Sequence, residues 1–183
     1  MKQTVSMTDQ SKLVRNAAIF IAGIGVLTAS SYVAVPMIPV PVTMQTLAVL
    51  LVGAVAGPRM GLAMIASWLS LAAFGAPVLA GGKTGLLAFT GPTAGFLLSF
   101  PVAGFLAGVA TRTFAASHLS RLSAFLGLHV LILFAGWSWL ATLIGAEAAF
   151  TAGVAPFLVG ALIKSALGAA ILAALDRTGP KST

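Results

Sequence analysis

The sequence has no cysteine, only three acidic residues and only 7% charged residues over its 183 positions. Without cysteine there is no disulfide framework, no thiolate nucleophile and no Cys-ligated metal. The shortage of charge excludes a disordered chain and a nucleic-acid-binding protein, because both need many charged side chains. A soluble domain carries about 25% charged residues. This chain therefore has too few to cover a surface that faces water.

The chain is instead rich in long apolar stretches. Hydrophobic residues make up 59% of it, and a membrane-spanning helix needs about 20 of them in a row. We predict an all-α, multi-pass protein of the inner (cytoplasmic) membrane, with both termini in the cytoplasm. A polar segment at 1–16 precedes a six-helix transmembrane domain at 17–175, and a polar tail follows at 176–183. The predicted spans are 17–35, 43–57, 60–75, 92–111, 122–145 and 155–175.

The net charge of +7 indicates membrane orientation, since basic residues concentrate on the cytoplasmic side. Six spans place Lys83 alone in an outer loop and Lys164 within the last span. A five- or seven-span arrangement would scatter the same charges over both sides. The other eight basic residues then all lie in the cytoplasm: Lys2, Lys12, Arg15, Arg59, Arg112, Arg121, Arg177 and Lys181.

Lys164 is the strongest single functional candidate. An ammonium group at membrane depth is costly and normally faces a cavity or a partner. Gly160, Ala161 and Gly168 share its helix face and leave space beside it. An anionic ligand could satisfy the charge. Two other interpretations stay open: an ion pair with Glu147, and a side chain that extends outward to the membrane surface.

The outer loop at 75–91 is long, glycine-rich and still apolar. We expect it to fold back onto the bundle as a lid, where irregular backbone is tolerated against protein or a cavity. A plain flexible connector is the alternative. Gly82-Lys83-Thr84 in this loop resembles the end of a phosphate-binding loop, but that motif requires a glycine where Pro77 stands. We therefore do not expect nucleotide binding.

Two other polar residues lie at membrane depth. Gln45 follows a proline-rich, stiff outer segment and could either donate to a ligand or cap the second helix. His129 lies within the fifth span without acidic partners. We therefore interpret it as a hydrogen-bonded structural histidine rather than a proton relay.

The sequence does not indicate an enzyme. It offers no nucleophile with its base, no metal-ligand cluster and no pair of carboxylates. Small residues recur at four-residue spacing, which lets helices approach closely in lipid. We expect most of these pairs to pack the bundle and the first of them to bind another subunit. The pairs are Ala18 with Ala22, Gly53 with Gly57, and Gly104 with Gly108.

Four segments together resemble the BioY family, the biotin-binding substrate-capture (S) components of energy-coupling-factor (ECF) transporters. Their order and spacing are specific, although no single segment is. The similarity covers most of residues 15–175. The segments are IPVPVTMQTL at 38–47, GPR at 57–59, AGG at 80–82 and GPTAGFLLSF at 91–100.

The resemblance implies six membrane helices and a protein that binds biotin near the outer side, without a cofactor. It also implies that Ala18 and Ala22 dock on a transmembrane coupling (T) subunit that carries two ATP-binding subunits. If the protein works without these partners, an assembly of several copies is the alternative. The substrate-binding residues we expect on this basis are Lys164, Gln45, Gly81, Gly82, Lys83, Thr93, Phe96 and Trp68.

Two positions depart from the family pattern. The last helix has Ala161 where the pattern similar to Pro-Gly-Asp-x-x-Lys has an acid, and Phe96 stands where a tyrosine is frequent. Losing a hydrogen-bond acceptor for a buried donor costs about 1–3 kcal/mol. Capture of another small vitamin or of a biotin precursor is therefore one alternative function. The other is a membrane scaffold in which Lys164 pairs with Glu147.

Overall fold

The computed structural model describes residues 7–113 and 117–178, which form an almost entirely helical bundle. Two short 3₁₀ turns, Ala80–Gly82 and Leu86–Phe89, lie within the predicted loop at 75–91. A hairpin of two-residue strands, β1 (Ala34–Val35) with β2 (Val42–Thr43), connects the first two helices. The helices are α1 (Met7–Tyr32), α2 (Gln45–Ala56), α3 (Pro58–Ala73), α4 (Ala94–Thr113), α5 (His118–Ile144), α6 (Ala146–Gly153) and α7 (Phe157–Thr178).

Four helices, α1, α4, α5 and α7, are long and apolar enough to cross a membrane. The second and third predicted spans correspond to α2 and α3, which have 12 and 16 residues. These lengths correspond to about 18 and 24 Å of helix, less than the roughly 30 Å hydrocarbon core. The bundle therefore contains two short helices where the sequence pattern predicted full spans.

The helix boundaries agree with the turn signals in the sequence at one place and differ at another. Gly57, with φ +85, ends α2, and Pro58 occupies the first turn of α3, so the predicted break there is confirmed. The short α6, which follows Gly145, was not predicted. At the start of the chain, α1 begins at Met7, inside the segment predicted to be polar and separate.

Arg112 and Arg121 lie at one end of the bundle, whereas Lys83 and Lys164 lie at the other. The end of α4 meets the α2–α3 turn, where Arg112 lies against Gly57. The start of α5 meets the end of α7 through the ion pair between Arg121 and Asp176. At the opposite end, the Tyr32 hydroxyl donates to the carbonyl oxygen of Pro77. Lys2 and Lys181 lie outside the described residues.

Glycines bring α2, α3 and α4 into backbone contact. A Cβ atom on Gly53 would overlap the backbone of Gly104, and one on Gly108 would overlap Pro58. The predicted close approach at these glycines is confirmed. Ala18 and Ala22, by contrast, are exposed on α1, a helix with little of its surface covered.

Candidate functional site

A mostly apolar cavity lies at the end of the bundle opposite Arg112 and Arg121. Helices α2, α4, α5 and α7 and the two loops that flank them form its wall. Its polar lining residues are Thr43, Gln45, Thr46, Lys83, Thr93, His129 and Lys164. The apolar ones are Val40, Pro41, Leu79, Ala80, Phe96, Leu97, Phe100, Ile132, Leu133, Phe157 and Ala161.

Lys164 reaches this cavity from α7 and is only 7% exposed. Its Nζ atom donates to the carbonyl oxygen of Thr43 at 2.9 Å and to the Thr46 hydroxyl at 2.9 Å. An ammonium group has three N–H donors, so one is left without an acceptor in the described part of the chain. The site thus presents a buried cation with a donor to spare.

A short relay of hydrogen bonds orients the Thr46 hydroxyl. His129 Nε2 lies 3.2 Å from Thr46 Oγ1, and His129 Nδ1 lies 3.0 Å from the carbonyl oxygen of Phe125. Because a carbonyl only accepts, Nδ1 carries the proton and Nε2 accepts from Thr46. Thr46 is then the acceptor for Lys164. The prediction of a hydrogen-bonded histidine is confirmed, and the same residue also lines the cavity.

Gln45 lines the cavity, but its amide group is already engaged by the protein. Its Oε1 accepts from the Thr43 hydroxyl at 3.0 Å, and its Nε2 donates to the Ser31 hydroxyl at 3.0 Å. The side chain does not cap α2. Gln45 therefore ties α1 to the segment that supplies the Thr43 carbonyl to Lys164.

The other predicted site residues divide into two groups. Lys83, Thr93 and Phe96 line the cavity. Gly81 and Gly82 belong to the 3₁₀ turn beside it and are not part of its wall. Trp68 also lies outside the wall. It is fully buried and stacks at 6.3 Å on Phe100, a lining residue.

Phe96 occupies a tightly packed position. Its ring stacks on Phe157 with centroids 6.0 Å apart. On the other side it fills the space beside Gly136 of α5, where a Cβ atom would overlap the ring. The apolar wall is thus held in place by packing from behind.

The loop predicted to act as a lid packs against the bundle beside the cavity. Leu79, Ala80 and Lys83 from this loop contribute to the lining. Two bonds fasten the loop to the end of α3. The Gly85 N–H donates to the Ala72 carbonyl at 2.7 Å, and the Thr84 hydroxyl donates to the same oxygen at 3.2 Å. These bonds join the middle of the loop to the end of α3.

The predicted alternatives for Lys164 are also wrong. Glu147 is exposed in the first turn of α6, and within residues 7–113 and 117–178 it makes no ion pair with Lys164. The lysine does not extend to the surface either, since its bonds lead inward to Thr43 and Thr46. Backbone and hydroxyl oxygens, rather than a carboxylate, hold the ammonium group.

Sequence reasoning missed Thr46, His129 and the Thr43 carbonyl as parts of the site. Thr46 follows Gln45 directly, and a helix turns by about 100° per residue. The Thr46 side chain therefore faces α7, and the Gln45 side chain faces α1. Which helix lies opposite each of them depends on the packing of the bundle. A backbone carbonyl leaves no signal in the sequence.

The enclosed space is small, about 50 Å³. Such a space holds only a few water molecules. A ligand of vitamin size therefore has to displace the loop at 75–91 or some of the lining side chains when it enters.

Comparison with known proteins places this arrangement in a family. The sequence profile of the BioY family matches residues 1–181. The "Probable biotin transporter BioY" of Pyrococcus horikoshii is 36% identical over 157 residues, covering 86% of this chain and 91% of that protein. The "Biotin transporter BioY2" of Lactococcus lactis subsp. cremoris is 33% identical over 162 residues, covering 85% and 89%.

A solved structure is similar along nearly the whole chain. It is the crystal structure of the S-component for biotin from an ECF-type ABC transporter. It matches with a TM-score of 0.83 and 26% identity, and the match covers 95% of this chain and 96% of that one. From the family profile, the two relatives and the shared fold, we conclude that the chain belongs to the BioY family.

Proposed function

We propose that the chain is the membrane-embedded, biotin-binding component of a vitamin uptake transporter. The observation that carries this proposal is the buried Lys164, held by the Thr43 carbonyl and the Thr46 hydroxyl at a mostly apolar cavity. Ligand sites typically combine apolar walls with a few well-placed polar groups. Biotin has matching chemistry, with an apolar ring and chain, a ureido group and one carboxylate.

The residues divide the work of binding. Lys164 supplies the positive charge and a free donor for an oxygen of the ligand. Thr93 adds a polar contact, and Phe96 forms part of the apolar wall. Lys83, with the neighbouring Gly81 and Gly82, belongs to the loop that closes over the ligand. Gln45 and Trp68 support the site from behind, through Thr43 and Phe100 respectively.

A binding experiment tests the choice of ligand. Purified protein is incubated with labelled biotin and a panel of unlabelled competitors that includes desthiobiotin, which keeps the ureido ring and the carboxylate. We expect half of the label to be displaced at a biotin concentration about tenfold lower than the desthiobiotin concentration. Desthiobiotin lacks the sulfur atom that closes the second ring of biotin and therefore makes fewer apolar contacts. Ala161 at the wall makes a precursor or another vitamin the second candidate. Stronger competition by such a compound would reassign the ligand.

We propose further that six helices lie in the membrane, with α2 and α3 as short members and both termini in the cytoplasm. The separation of the cavity from Arg112 and Arg121 supports this orientation. Because the chain has no cysteine, single cysteines report on one position each. We expect Leu87→Cys to react with a membrane-impermeant maleimide in intact cells, and Leu119→Cys to react only after permeabilisation. The reverse pattern would invert the topology.

The partners follow from the same proposal. We propose that energy for uptake comes from two ATP-binding subunits, which are joined to the chain through a transmembrane coupling subunit. Exposed α1, with Ala18 and Ala22 on it, is the proposed docking helix in the inner membrane. Small residues on a lipid-exposed helix suit close helix–helix contact. A homo-oligomer is the assembly we propose if the protein works alone.

A further inference from the structure

A second cavity lies at the end of the bundle that holds Arg112 and Arg121, between α2, α4, α5 and α7. Its volume is about 360 Å³, within the range of about 300–1,000 Å³ that ligand pockets occupy. Apolar side chains such as Ala107, Leu128 and Leu172 line its interior. Arg112, Arg121 and Asp176 belong to the same lining. Capture of biotin at the opposite end makes no use of this space.

The charged residues of the second cavity are not balanced. Arg121 is 12% exposed and uses Nη2 to bond Asp176. A guanidinium has five N–H donors, so others remain for a further acceptor. Arg112 makes no hydrogen bond or ion pair within residues 7–113 and 117–178. Two arginines against one carboxylate leave one positive charge in excess.

Arg112 is exposed, and its guanidinium group lies beside backbone rather than beside a polar partner of the described chain. Its guanidinium group packs against Gly57, at the turn between α2 and α3, where a Cβ atom would overlap it. The glycine thereby makes room for the cation beside the cavity. An arginine placed in this way, with its donors unused by the described protein, is suited to an oxyanion.

We propose that this cavity binds an anionic phospholipid of the cytoplasmic leaflet. Arg112 and Arg121 hold its phosphate group, and an acyl chain lies along the apolar wall. A soluble anion would match the arginines but would leave the apolar interior empty. Basic pockets between membrane helices on the cytoplasmic side are suited to anionic headgroups. The inference rests on the proposed topology, but not on the identity of the ligand at Lys164.

The test measures lipid binding by purified, delipidated full-length protein. Labelled phosphatidylglycerol and phosphatidylcholine with identical acyl chains are titrated separately. We expect Arg112→Gln to weaken phosphatidylglycerol binding about fivefold, since Arg112 is exposed and interactions of exposed charges are worth about 0–1 kcal/mol. Phosphatidylcholine binding stays unchanged. The matched control is Arg15→Gln, which removes an equal charge from exposed α1 and is expected to change neither titration.

Two further arms make the outcome decisive. Arg112→Lys keeps the charge and is expected to lose less affinity than Arg112→Gln, and the thermal transition without lipid verifies that each variant is folded. Inorganic phosphate is expected not to displace the lipid at equal concentration. Equal binding of the two lipids by the unsubstituted protein, equal loss in Arg112→Gln and Arg15→Gln, or displacement by phosphate would each overturn the proposal. Biotin binding, measured in parallel, is expected to be unaffected by Arg112→Gln.

Discussion

Lys164→Met is expected to weaken biotin binding at least tenfold, and up to about a hundredfold. A hydrogen bond to a charged group contributes about 1.5–3 kcal/mol, and every 1.4 kcal/mol is about a tenfold change in affinity. Methionine is flexible and fills irregular space, so the substitution removes the ammonium group without opening a large hole. Equilibrium dialysis of purified protein against labelled biotin measures the effect.

The matched control for this experiment is Lys83→Met. Lys83 also lines the cavity, but it is exposed in the loop at 75–91 rather than buried. Interactions of exposed charges are worth about 0–1 kcal/mol, so we expect a loss of less than about fivefold. A similar loss in both variants would indicate general attraction of an anion. Unchanged binding in Lys164→Met would remove Lys164 from the site.

Gly53→Ala is expected to lower the free energy of unfolding by about 3 kcal/mol. The added methyl group would overlap the backbone of Gly104, and backbone cannot move aside as the end of a flexible side chain can. Forcing extra volume into a packed interior typically costs about 1–3 kcal/mol, and this contact lies at the upper end. Unfolding of the purified protein in mixed micelles with increasing SDS measures the change.

Gly25→Ala provides the comparison on α1. A Cβ atom at Gly25 would have nothing within 4 Å, and alanine is favoured over glycine within a helix by about 1 kcal/mol. We expect this variant to be as stable as the unsubstituted protein or slightly more so. If both alanine variants had the same stability, direct contact of α2 with α4 would not be a source of stability.

The cation at membrane depth was predictable because the cost of burying it is so high. Lys164 stands out in an almost uncharged chain, and no reference to its neighbours is needed to identify it. The hydrogen-bond partners of Lys164 were not predictable in this way. The sequence suggested Glu147, the only nearby acid, whereas the fold supplies a carbonyl oxygen and the Thr46 hydroxyl. Such neutral acceptors are common throughout the chain, and only tertiary packing selects among them.

The helices α2 and α3 also show which features follow from local sequence and which depend on tertiary contacts. The Gly57–Pro58 break is a local signal, and it was predicted correctly. The lengths of the helices on either side depend on how far α2 and α3 continue before the flanking loops reach the cavity. That distance is set by contacts such as the bond from Gly85 to Ala72, which join residues on different elements.

The glycine contacts among α2, α3 and α4 also decide which parts of the molecule can yield. Where backbone contacts backbone, as at Gly53 and Gly104, sliding one helix along the other would cause steric overlap. This trio is therefore a stiff frame. The loop beside the cavity is held by separate contacts instead: hydrogen bonds from Tyr32 to Pro77, from Thr84 and Gly85 to Ala72 and from Trp139 to Gly91, and the buried side chains of Leu79 and Ala88. We therefore expect ligand entry to require movement of this loop, while α2, α3 and α4 keep their positions.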